Sequence, residues 1–384
     1  MQFELTQEQA QLRDTVRSFT QRSIAPVAHE WERDGRYPEE IVDEMRKLGL
    51  FGVTVPVEYG GAGIDCVSYA IVFEELSRGW MGIAGILGSH SLSTLLIARY
   101  GDEDQRQRWL PDLATGRRRS GIALTEPAAG SDLQGILTVA KRVGDTYIVN
   151  GTKTWITNAR FADPLPVLVK TDPSAEPRHR GMSVLMVEAN TPGFSIGRDL
   201  GKLGYHGPES CEVVLADATV PARNLLGNVE GVGLKQVLSV LEYGRINISA
   251  RAVGVAQAAY DQAAEYARHR HAFGQPIADF QAIQLRLADM ATEVQAARLL
   301  TWWAASKVGA GRADAESGMA KYFSSEVALK ASLNAMRVHG AYGYSTEYDV
   351  ERLYRDSPLM AIGEGTNDIL RLVIARAMAA KVAD

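Results

Sequence analysis

The last third of the chain consists of long runs with a helical period and few turn residues. Apolar residues recur at three- and four-residue spacing over stretches much longer than an average helix. Helices of this kind are stabilised mainly by packing their apolar faces together. We therefore expect a four-helix bundle over residues 231–384. Its runs are "LKQVLSVLEYGRINISARAVGVAQAAYDQAAEYARHR", "DFQAIQLRLADMATEVQAARLLTWWAASKV", "AESGMAKYFSSEVALKASLNAMRVHGAYGY" and the terminal "NDILRLVIAR".

The first part of the chain is also helical in pattern, but a region of strand pattern separates it from the bundle. Thr6 and Gln9 have the spacing of a capping box, and the helix after them is predicted to run to Pro26. Residues 1–120 are predicted to form an all-helical domain. Residues 121–230 are rich in short β-forming runs. The expected fold is a multi-domain α+β protein with a middle β domain.

The middle region contains two dipeptides typical of hairpin turns. In "VAKRVGDTYIVNGTKTWIT" a Gly-Asp pair and an Asn-Gly pair interrupt runs of β-forming residues. Further short runs follow, separated by polar residues. This pattern predicts a small antiparallel barrel or sandwich over residues 121–230.

The composition excludes several classes of protein. Hydrophobic residues make up 46% and charged residues 23% of the chain, and no stretch has about 20 unbroken apolar residues, so we expect no membrane span. A net charge of -5 argues against a nucleic-acid partner. Two cysteines, Cys66 and Cys211, and scattered histidines support neither disulfides nor a metal site. Without a signal peptide pattern at the N-terminus, a cytoplasmic location is expected.

Phosphate-binding and nucleophile motifs are absent, but six segments together resemble the acyl-CoA dehydrogenases. "GVGLKQ" lacks the third glycine of a dinucleotide motif, and "GRDLGKL" does not have P-loop spacing. The resemblance covers nearly the whole chain and implies the same three-domain fold. It rests on "ALTEPAAGSD", "GTKTWITNA", "LEYGRI", "RHRHAFGQPIADFQAIQ", "RVHGAYGYSTEY" and "YRDSPLMAIGEGTNDILRLVIAR".

The resemblance implies an FAD cofactor held by two segments of the middle region. In "ALTEPAAGSD", small residues allow close backbone approach and hydroxyl groups can donate hydrogen bonds. In "KTWIT", the alternative is that the tryptophan is simply packed in a strand. The FAD contacts implied in these segments are Leu124, Thr125, Gly130, Ser131, Trp155, Ile156 and Thr157.

Further FAD contacts are implied in the C-terminal region, partly from a neighbouring subunit. An arginine suits the pyrophosphate because its planar fork binds phosphate oxygens in pairs. The turn after Val338 departs from the commoner Phe-Gly-Gly form of the family, since it has His339, Gly340 and Ala341. A cofactor shared between subunits implies a homotetramer built from two dimers. The residues are Arg270, Phe273, Gln281, Arg337, Val338, Gly340, Thr366 and Asn367.

The segment "LEYGRI" has two readings. Glu242 and Arg245 could form an ion pair between neighbouring turns of one helix, which contributes only a few tenths of a kcal/mol, about 0.2–0.5. In the family this segment contacts the CoA part of the substrate. The resemblance therefore implies substrate contacts at Ser131, Glu242, Tyr243, Arg245 and Gly365.

The resemblance makes Glu364, in the turn "GEGT", the catalytic base. Abstraction of the thioester α-proton requires a positioned base, and the backbone N–H of Glu364 is implied to help hold the thioester oxygen. A helix N-terminus favours the charged carboxylate, whereas burial under the acyl chain opposes it, and we expect burial to dominate. Thr366 or Asn367 is predicted to cap the following helix. A second subgroup of the family places its base at the position of Gly244.

The implied activity is FAD-dependent dehydrogenation of an acyl-CoA to the trans-2-enoyl-CoA, with electrons passed to an electron-transfer flavoprotein. The alternatives are a short acyl-CoA oxidase, although the related oxidases are usually much longer, and a non-catalytic relative. Ile83 stands where relatives acting on dicarboxylyl thioesters carry an arginine, which disfavours a glutaryl-type substrate. Gly363 replaces a bulky residue of many relatives and is expected to widen the acyl cavity.

Overall fold

The computed structural model describes residues 4–308, 310 and 313–383 and divides them into helical, sheet and helical parts. The capping box at Thr6 is confirmed, because its hydroxyl accepts from the Gln9 N–H and the Gln9 side chain accepts from the Thr6 N–H. The helical path does not end at Pro26 as predicted. A π-turn over Thr20–Ile24 leads into α2, where Pro26 lies in the first turn and needs no N–H partner. The N-terminal helices are α1 Gln7–Phe19, α2 Ala25–Arg33, α3 Glu39–Lys47, α4 Cys66–Gly79, α5 Met81–Tyr100 and α6 Glu103–Ala114.

Helix α5 is the core of the N-terminal part. By length and composition it is the one helix in the described part of the chain that could cross a membrane, but 89% of its most apolar window is buried inside the protein. Ile83 and the stretch that follows it belong to this single helix, and Ile83 is fully buried against the N-terminal helices.

The middle part is one six-stranded sheet with the order β4-β3-β1-β2-β6-β5. All neighbouring pairs are antiparallel except β1 and β3, which meet in parallel at Val139 and Lys170. The strands are β1 Val139–Val143, β2 Thr146–Thr157, β3 Leu165–Lys170, β4 Met182–Val187, β5 Phe194–Asp199 and β6 Ser210–Pro221.

Only one of the two predicted hairpin turns exists. Gly144 and Asp145 join β1 to β2, as the sequence predicted. Asn150 and Gly151 instead lie inside β2, where the register to β6 shifts by one residue. A Cβ at Gly151 would lie 2.3 Å from the Thr138 hydroxyl oxygen, so the glycine permits close packing there and not a turn. The prediction of a turn at this Asn-Gly pair was wrong.

The C-terminal part contains five helices in the described residues. The last predicted run corresponds to α11, and α10, which precedes the turn containing Glu364, is a helix outside the four predicted runs. Helix α7 is the longest element, with 37 residues, and contributes to the cores shared with the N-terminal helices, with the sheet and with the other C-terminal helices. The helices are α7 Gly233–His269, α8 Gln281–Lys307, α9 Asp314–His339, α10 Val350–Ile362 and α11 Asn367–Ala383, with a small hairpin of β7 His271–Ala272 and β8 Gln275–Pro276.

Candidate active site

Glu364 lies in the turn between α10 and α11 with a left-handed backbone. Its φ is 53° and that of Gly365 is 94°. A non-glycine residue rarely adopts this conformation, which costs of order 1 kcal/mol or more and is common at functional sites. Thr366 caps α11, because its hydroxyl accepts from the Ile369 N–H at 3.3 Å. The predicted cap is thereby confirmed at Thr366.

The carboxylate of Glu364 packs against the backbone of α7. A Cβ built on Gly244 would lie 1.9 Å from the Glu364 Oε2, so position 244 must be glycine while Glu364 is in this place. The two positions that carry the base in the two subgroups of the family therefore meet at one point. Glu242, two residues away, does not share this position.

The Glu364 side chain is half-buried, and one oxygen of its carboxylate lacks a hydrogen-bond partner. Its Oε2 is shielded from water and accepts no hydrogen bond from any described residue. Burial raises the pKa of Glu364, while the charges of Arg251, Lys321 and Arg245 act in the opposite direction. Burial by the protein itself thus already produces the shift that the sequence analysis ascribed to substrate. A carboxylate without donors and with a raised pKa is suited to accept a proton.

Lys321 of α9 holds the turn in place. Its side chain is fully buried, and its Nζ donates to the Gly365 carbonyl oxygen at 2.7 Å and to the Asn367 Oδ1 at 3.0 Å. Burial lowers the pKa of Lys321 to about 8, against the opposing effect of Glu364. The lysine therefore fixes the backbone beside Glu364 without bonding to its carboxylate. Sequence analysis missed this residue, since an isolated lysine in a helix carries no signal of its own.

Asn367 is occupied by contacts within the protein. Its amide nitrogen donates to the Ser325 hydroxyl at 3.0 Å and to Glu326 Oε1 at 2.7 Å, while its Oδ1 accepts from Lys321. These bonds connect the start of α11 to α9. The predicted FAD contact of Asn367 remains a prediction.

The two segments predicted for the flavin are adjacent in the structure. The Thr154 N–H donates to the Thr125 carbonyl oxygen at 2.9 Å, and Lys153 Nζ donates to the Leu124 carbonyl oxygen at 3.1 Å. Trp155 has a φ of 63° beside a register shift in β2, and its side chain is 55% exposed. The alternative of a packed strand tryptophan is therefore wrong, since the bulge turns the ring outward.

These features fit a flat aromatic cofactor beside β2. An exposed tryptophan gives an aromatic surface, and a Cβ at Gly130 would meet nothing within 4 Å, so the loop ending at Ser131 borders open space. Ile156 is buried in the sheet and Thr157 is half-buried at the end of β2. The flavin would be held here by Leu124, Thr125, Gly130, Ser131, Trp155, Ile156 and Thr157.

Arg270, another of the predicted FAD residues, lies far from Glu364 within one chain. Arg270 follows His269, the last residue of α7. His269 is about 38 Å from Gly244 along the helix axis, at 1.5 Å per residue. Its guanidinium lies 5.9 Å from the centre of the Tyr342 ring, while the Phe273 side chain is 96% exposed. The side chain of Val338 is buried in the bundle, so only its backbone can face a ligand. The structure does not bring Arg270 to Glu364.

The predicted substrate residues of α7 contact the start of α9. Arg245 forms an ion pair with Asp314 at 3.0 Å, and the Glu242 Oε2 accepts from the Ala313 N–H at 3.4 Å. Burial and the nearby Asp314 raise the pKa of Glu242. The Tyr243 ring lies 4.7 Å from the Arg99 guanidinium. Arg245 thus joins two helices, in place of the ion pair within α7 considered above.

Comparison with known proteins identifies the family. The profiles "Acyl-CoA dehydrogenase, N-terminal domain", "middle domain" and "C-terminal domain" match residues 6–117, 121–218 and 231–379. The chain is 43% identical to "Acyl-CoA dehydrogenase" of Bacillus subtilis (strain 168) over 97% of this chain and 98% of that protein. It therefore belongs to the acyl-CoA dehydrogenase family, whose members are FAD-dependent oxidoreductases.

Two solved structures show how uniform the fold is. A chain in "Electron transferring flavoprotein of Acidaminococcus fermentans: Towards a mechanism of flavin-based electron bifurcation" has a TM-score of 0.95 and 37% identity, covering 98% of this chain and 99% of that chain. "Crystal Structure of the Prolyl Acyl Carrier Protein Oxidase AnaB" has a TM-score of 0.92 and 31% identity, covering 98% and 100%. Since the second structure has the same extent, chain length does not exclude an oxidase.

Proposed function

We propose that in this acyl-CoA dehydrogenase Glu364 removes the α-proton of the acyl thioester, yielding the trans-2-enoyl-CoA. FAD supplies the acceptor for the β-hydride. The observation that carries the proposal is the buried Glu364 Oε2 without a hydrogen-bond donor, packed against Gly244. A proton acceptor requires a free lone pair, and a fully bonded structural carboxylate does not have one.

The neighbours of Glu364 position the base and leave space for the substrate. Gly244 and Gly365 present no side chains, so the thioester can approach the carboxylate. Lys321 holds the Gly365 carbonyl oxygen and thereby the direction of the turn. The positive charges of Arg251, Lys321 and Arg245 favour the ionised form of Glu364, which is the form that accepts the proton. The Glu364 N–H is proposed to donate to the thioester oxygen as its charge increases.

The CoA part of the substrate is proposed to extend along Ser131, Glu242, Tyr243 and Arg245, with Gly365 beside the thioester. Ser131 is exposed at the end of the flavin loop, and the other three residues lie on one stretch of α7. Glu242 and Tyr243 are half-buried and Arg245 is buried beside Asp314. Polar and charged groups of this kind suit the amides and phosphates of CoA.

A homotetramer built as a dimer of dimers is proposed to complete the FAD site. Support comes from Arg270, which follows the end of α7 that is remote from Glu364. Phe273, Gln281, Arg337, Val338 and Gly340 are proposed to contact the FAD of a neighbouring subunit together with it, while Thr366 and Asn367 are proposed to contact FAD from the turn beside Glu364. An aromatic side chain that is 96% exposed, such as Phe273, is expected to be covered in an assembly. Sedimentation of the holoenzyme tests this, and a monomer that keeps FAD would contradict it.

The electron acceptor is proposed to be an electron-transfer flavoprotein, in a cytoplasmic pathway of fatty acid metabolism. The neighbour from Acidaminococcus fermentans supports this acceptor. The oxidase neighbour makes molecular oxygen the second candidate. Stopped-flow reoxidation distinguishes them: we expect slow reoxidation in air and fast reoxidation by the flavoprotein, and rapid reoxidation in air would favour the oxidase.

Replacement of the base tests the catalytic proposal directly. We expect Glu364→Gln to lower the dehydrogenation rate by about 10³-fold, within the range typical of a lost general base, and to leave FAD bound. Glu242→Gln is the control, because its carboxylate does not share the Glu364 position. Activity is measured with an acyl-CoA panel and an artificial acceptor, and bound FAD by its visible absorbance. Retained activity in Glu364→Gln with loss in Glu242→Gln would assign the base to Glu242.

A further inference from the structure

The face of α7 that borders Glu364 at Gly244 carries polar residues over the next two turns towards the C-terminus. Gly244, Asn247, Ile248 and Arg251 recur at intervals of three and four residues, which places them on one face of the helix. A simple alkyl chain beside Glu364 would be matched best by apolar side chains. This face instead carries an amide and a guanidinium.

Arg251 is the one buried arginine in the described chain without a carboxylate partner. The other three, Arg119, Arg245 and Arg352, form ion pairs with Glu39, Asp314 and Asp349. Arg251 is 4% exposed, and its Nε and Nη2 are shielded from water and donate to no described group. Its guanidinium lies 5.3 Å from the centre of the Tyr205 ring. A buried cation with unused donors is costly unless a ligand completes it.

The two unused nitrogens form one binding edge. Nε–H and the adjacent Nη2–H point in the same direction in the planar guanidinium, and this edge binds both oxygens of a carboxylate. Gly244 and Arg251 are separated by about 10 Å along the helix axis at 1.5 Å per residue. That separation is of the order of the length of a short acyl chain with its reacting carbons at Glu364 and its distal group at Arg251.

Two glycines of α5 allow Tyr205 and Asn247, which lie near Arg251, to pack closely against that helix. A Cβ at Gly85 would lie 1.9 Å from the Tyr205 hydroxyl oxygen, and one at Gly88 would lie 2.2 Å from the Asn247 Nδ2. The Asn247 Nδ2 donates to the Tyr69 hydroxyl at 3.3 Å, while its Oδ1 is buried and accepts no bond from the described residues. Tyr205 and Asn247 thus pack against α5, and the Asn247 Oδ1 adds a second unused polar atom to the face of α7 that carries Arg251.

We propose that Arg251 binds a carboxylate at the distal end of the acyl chain, so that the substrates are short dicarboxylyl-CoA thioesters. The proposal rests on the proposed function, in which the acyl chain lies beside Glu364. It reverses the expectation drawn from Ile83, because α7 supplies the cation that position 83 of α5 lacks. Substrate binding would then satisfy both unused donors of Arg251.

The wild-type enzyme provides the first test. Purified holoenzyme is assayed with glutaryl-CoA against pentanoyl-CoA and with adipyl-CoA against hexanoyl-CoA, using an artificial electron acceptor. A site with unused charged donors rejects the ligand that lacks the acceptor, so we expect kcat/KM for the dicarboxylyl thioester to be about 10²-fold higher. A preference for the uncharged partner in both pairs would overturn the proposal.

The variant Arg251→Gln tests the residue. We expect it to lose the preference, with kcat/KM falling about 10²-fold for the dicarboxylyl thioesters and much less for the uncharged ones. Arg298→Gln is the control, since this arginine pairs with Glu74 and is not part of the face that carries Arg251. It should leave unchanged the ratio of kcat/KM for dicarboxylyl over uncharged thioesters. An equal loss on both classes that disappears at high pH would mean that Arg251 acts only on the charge of Glu364, and would overturn the proposal.

A binding measurement separates this proposal from the proposed function. Equilibrium dialysis with Glu364→Gln holoenzyme compares glutaryl-CoA with pentanoyl-CoA, with and without Arg251→Gln. We expect tighter binding of glutaryl-CoA only when Arg251 is present. Equal binding of both thioesters overturns the Arg251 proposal and leaves the dehydrogenase function intact. Wild-type inactivity with every thioester would instead contradict the proposed function.

Discussion

Two glutamates, each near a buried lysine, lie in opposite electrostatic environments in this protein. Glu126 of the middle part accepts from Lys153 Nζ at 2.8 Å, from the Thr138 N–H at 3.0 Å, and from the Thr138 hydroxyl and the Leu137 N–H. Burial acts to raise its pKa, but Lys153 and these hydrogen bonds hold the pKa below the usual value. Glu364 has a raised pKa and an oxygen without a donor.

The difference follows from where each lysine donates. Burial lowers the pKa of both Lys153 and Lys321 to about 8. Lys153 donates to the carboxylate itself and, through the Leu124 carbonyl oxygen, to the loop that is proposed to hold the flavin. Lys321 donates to the backbone beside Glu364 and leaves the carboxylate free. The same pair of residue types thus gives a structural ion pair in one place and a candidate base in the other.

Removal of the structural glutamate is expected to have the largest effect on stability. Glu126→Gln leaves Lys153 buried without its counter-charge, which costs about 3–5 kcal/mol in the free energy of unfolding. The folded-state pKa of Glu126 is lowered, so its contribution is present at neutral pH and is lost as the pH falls through that pKa. Urea unfolding followed by tryptophan fluorescence, at neutral and acidic pH, measures both.

The matched variant for this comparison is Glu364→Gln. Its folded-state pKa is raised, so the ionised carboxylate costs stability at pH values above that pKa, and the variant is expected to lose none at neutral pH. The difference between this variant and the wild type in the free energy of unfolding should vanish below the usual glutamate pKa. Equal destabilisation by both substitutions would show that the two glutamates are both structural.

Removal of the charge beside Glu364 should move the pH profile. The base must be ionised, so kcat/KM rises with pH through the raised Glu364 pKa. Lys321→Met removes a positive charge that lowers this pKa, and the rising limb should move to higher pH by about one unit, which corresponds to about tenfold lower activity below the limb. Since Lys321 itself has a pKa of about 8, the comparison is made below pH 8.

A control for this shift is Lys330→Met, at an exposed lysine of α9 that pairs with Glu293. Its profile should match that of the wild type. A uniform loss for Lys321→Met at every pH, with an unmoved limb, would mean that the lysine only fixes the backbone of the turn.

The order of helices and strands could be predicted because each element has a strong local pattern. The capping box at Thr6, the turn at Gly144 and Asp145, and the cap at Thr366 depend on neighbours in the sequence, and the structure has all three. The turn predicted at Asn150 is absent because Gly151 is required there by the approach of Thr138, which immediately precedes β1. A tertiary contact overrides the local preference at that position.

The candidate site was predictable only in part, and for the same reason. Glu364 was found through a motif, but Lys321 and Arg251 lie in helices where nothing local distinguishes them from surface residues. What matters at Arg251 is that its Nε and Nη2 donate to no described group, and this could not be known before α7 has packed against its neighbours. A sequence motif can identify a residue such as Glu364. Residues such as Lys321 and Arg251, whose effect depends on tertiary contacts, can be identified only from the folded structure.

The smallest expected effect concerns the glycine before the base. Gly363 has an ordinary φ of -67°, and a Cβ there would meet the Leu359 carbonyl oxygen at 3.3 Å, so an alanine fits with slight adjustment. If Gly363 borders the acyl chain, Gly363→Ala removes space for about one methyl group. We then expect kcat/KM for the longest accepted acyl chain to fall about fourfold relative to the shortest.

Gly365→Ala is the matched change on the other side of Glu364. At a φ of 94° an alanine is strained, so this variant should lose activity with every chain length alike. Kinetics over an acyl-CoA series measure both ratios. A length ratio unchanged in Gly363→Ala would place the acyl chain away from position 363, and the space beside the base would then not select the substrate.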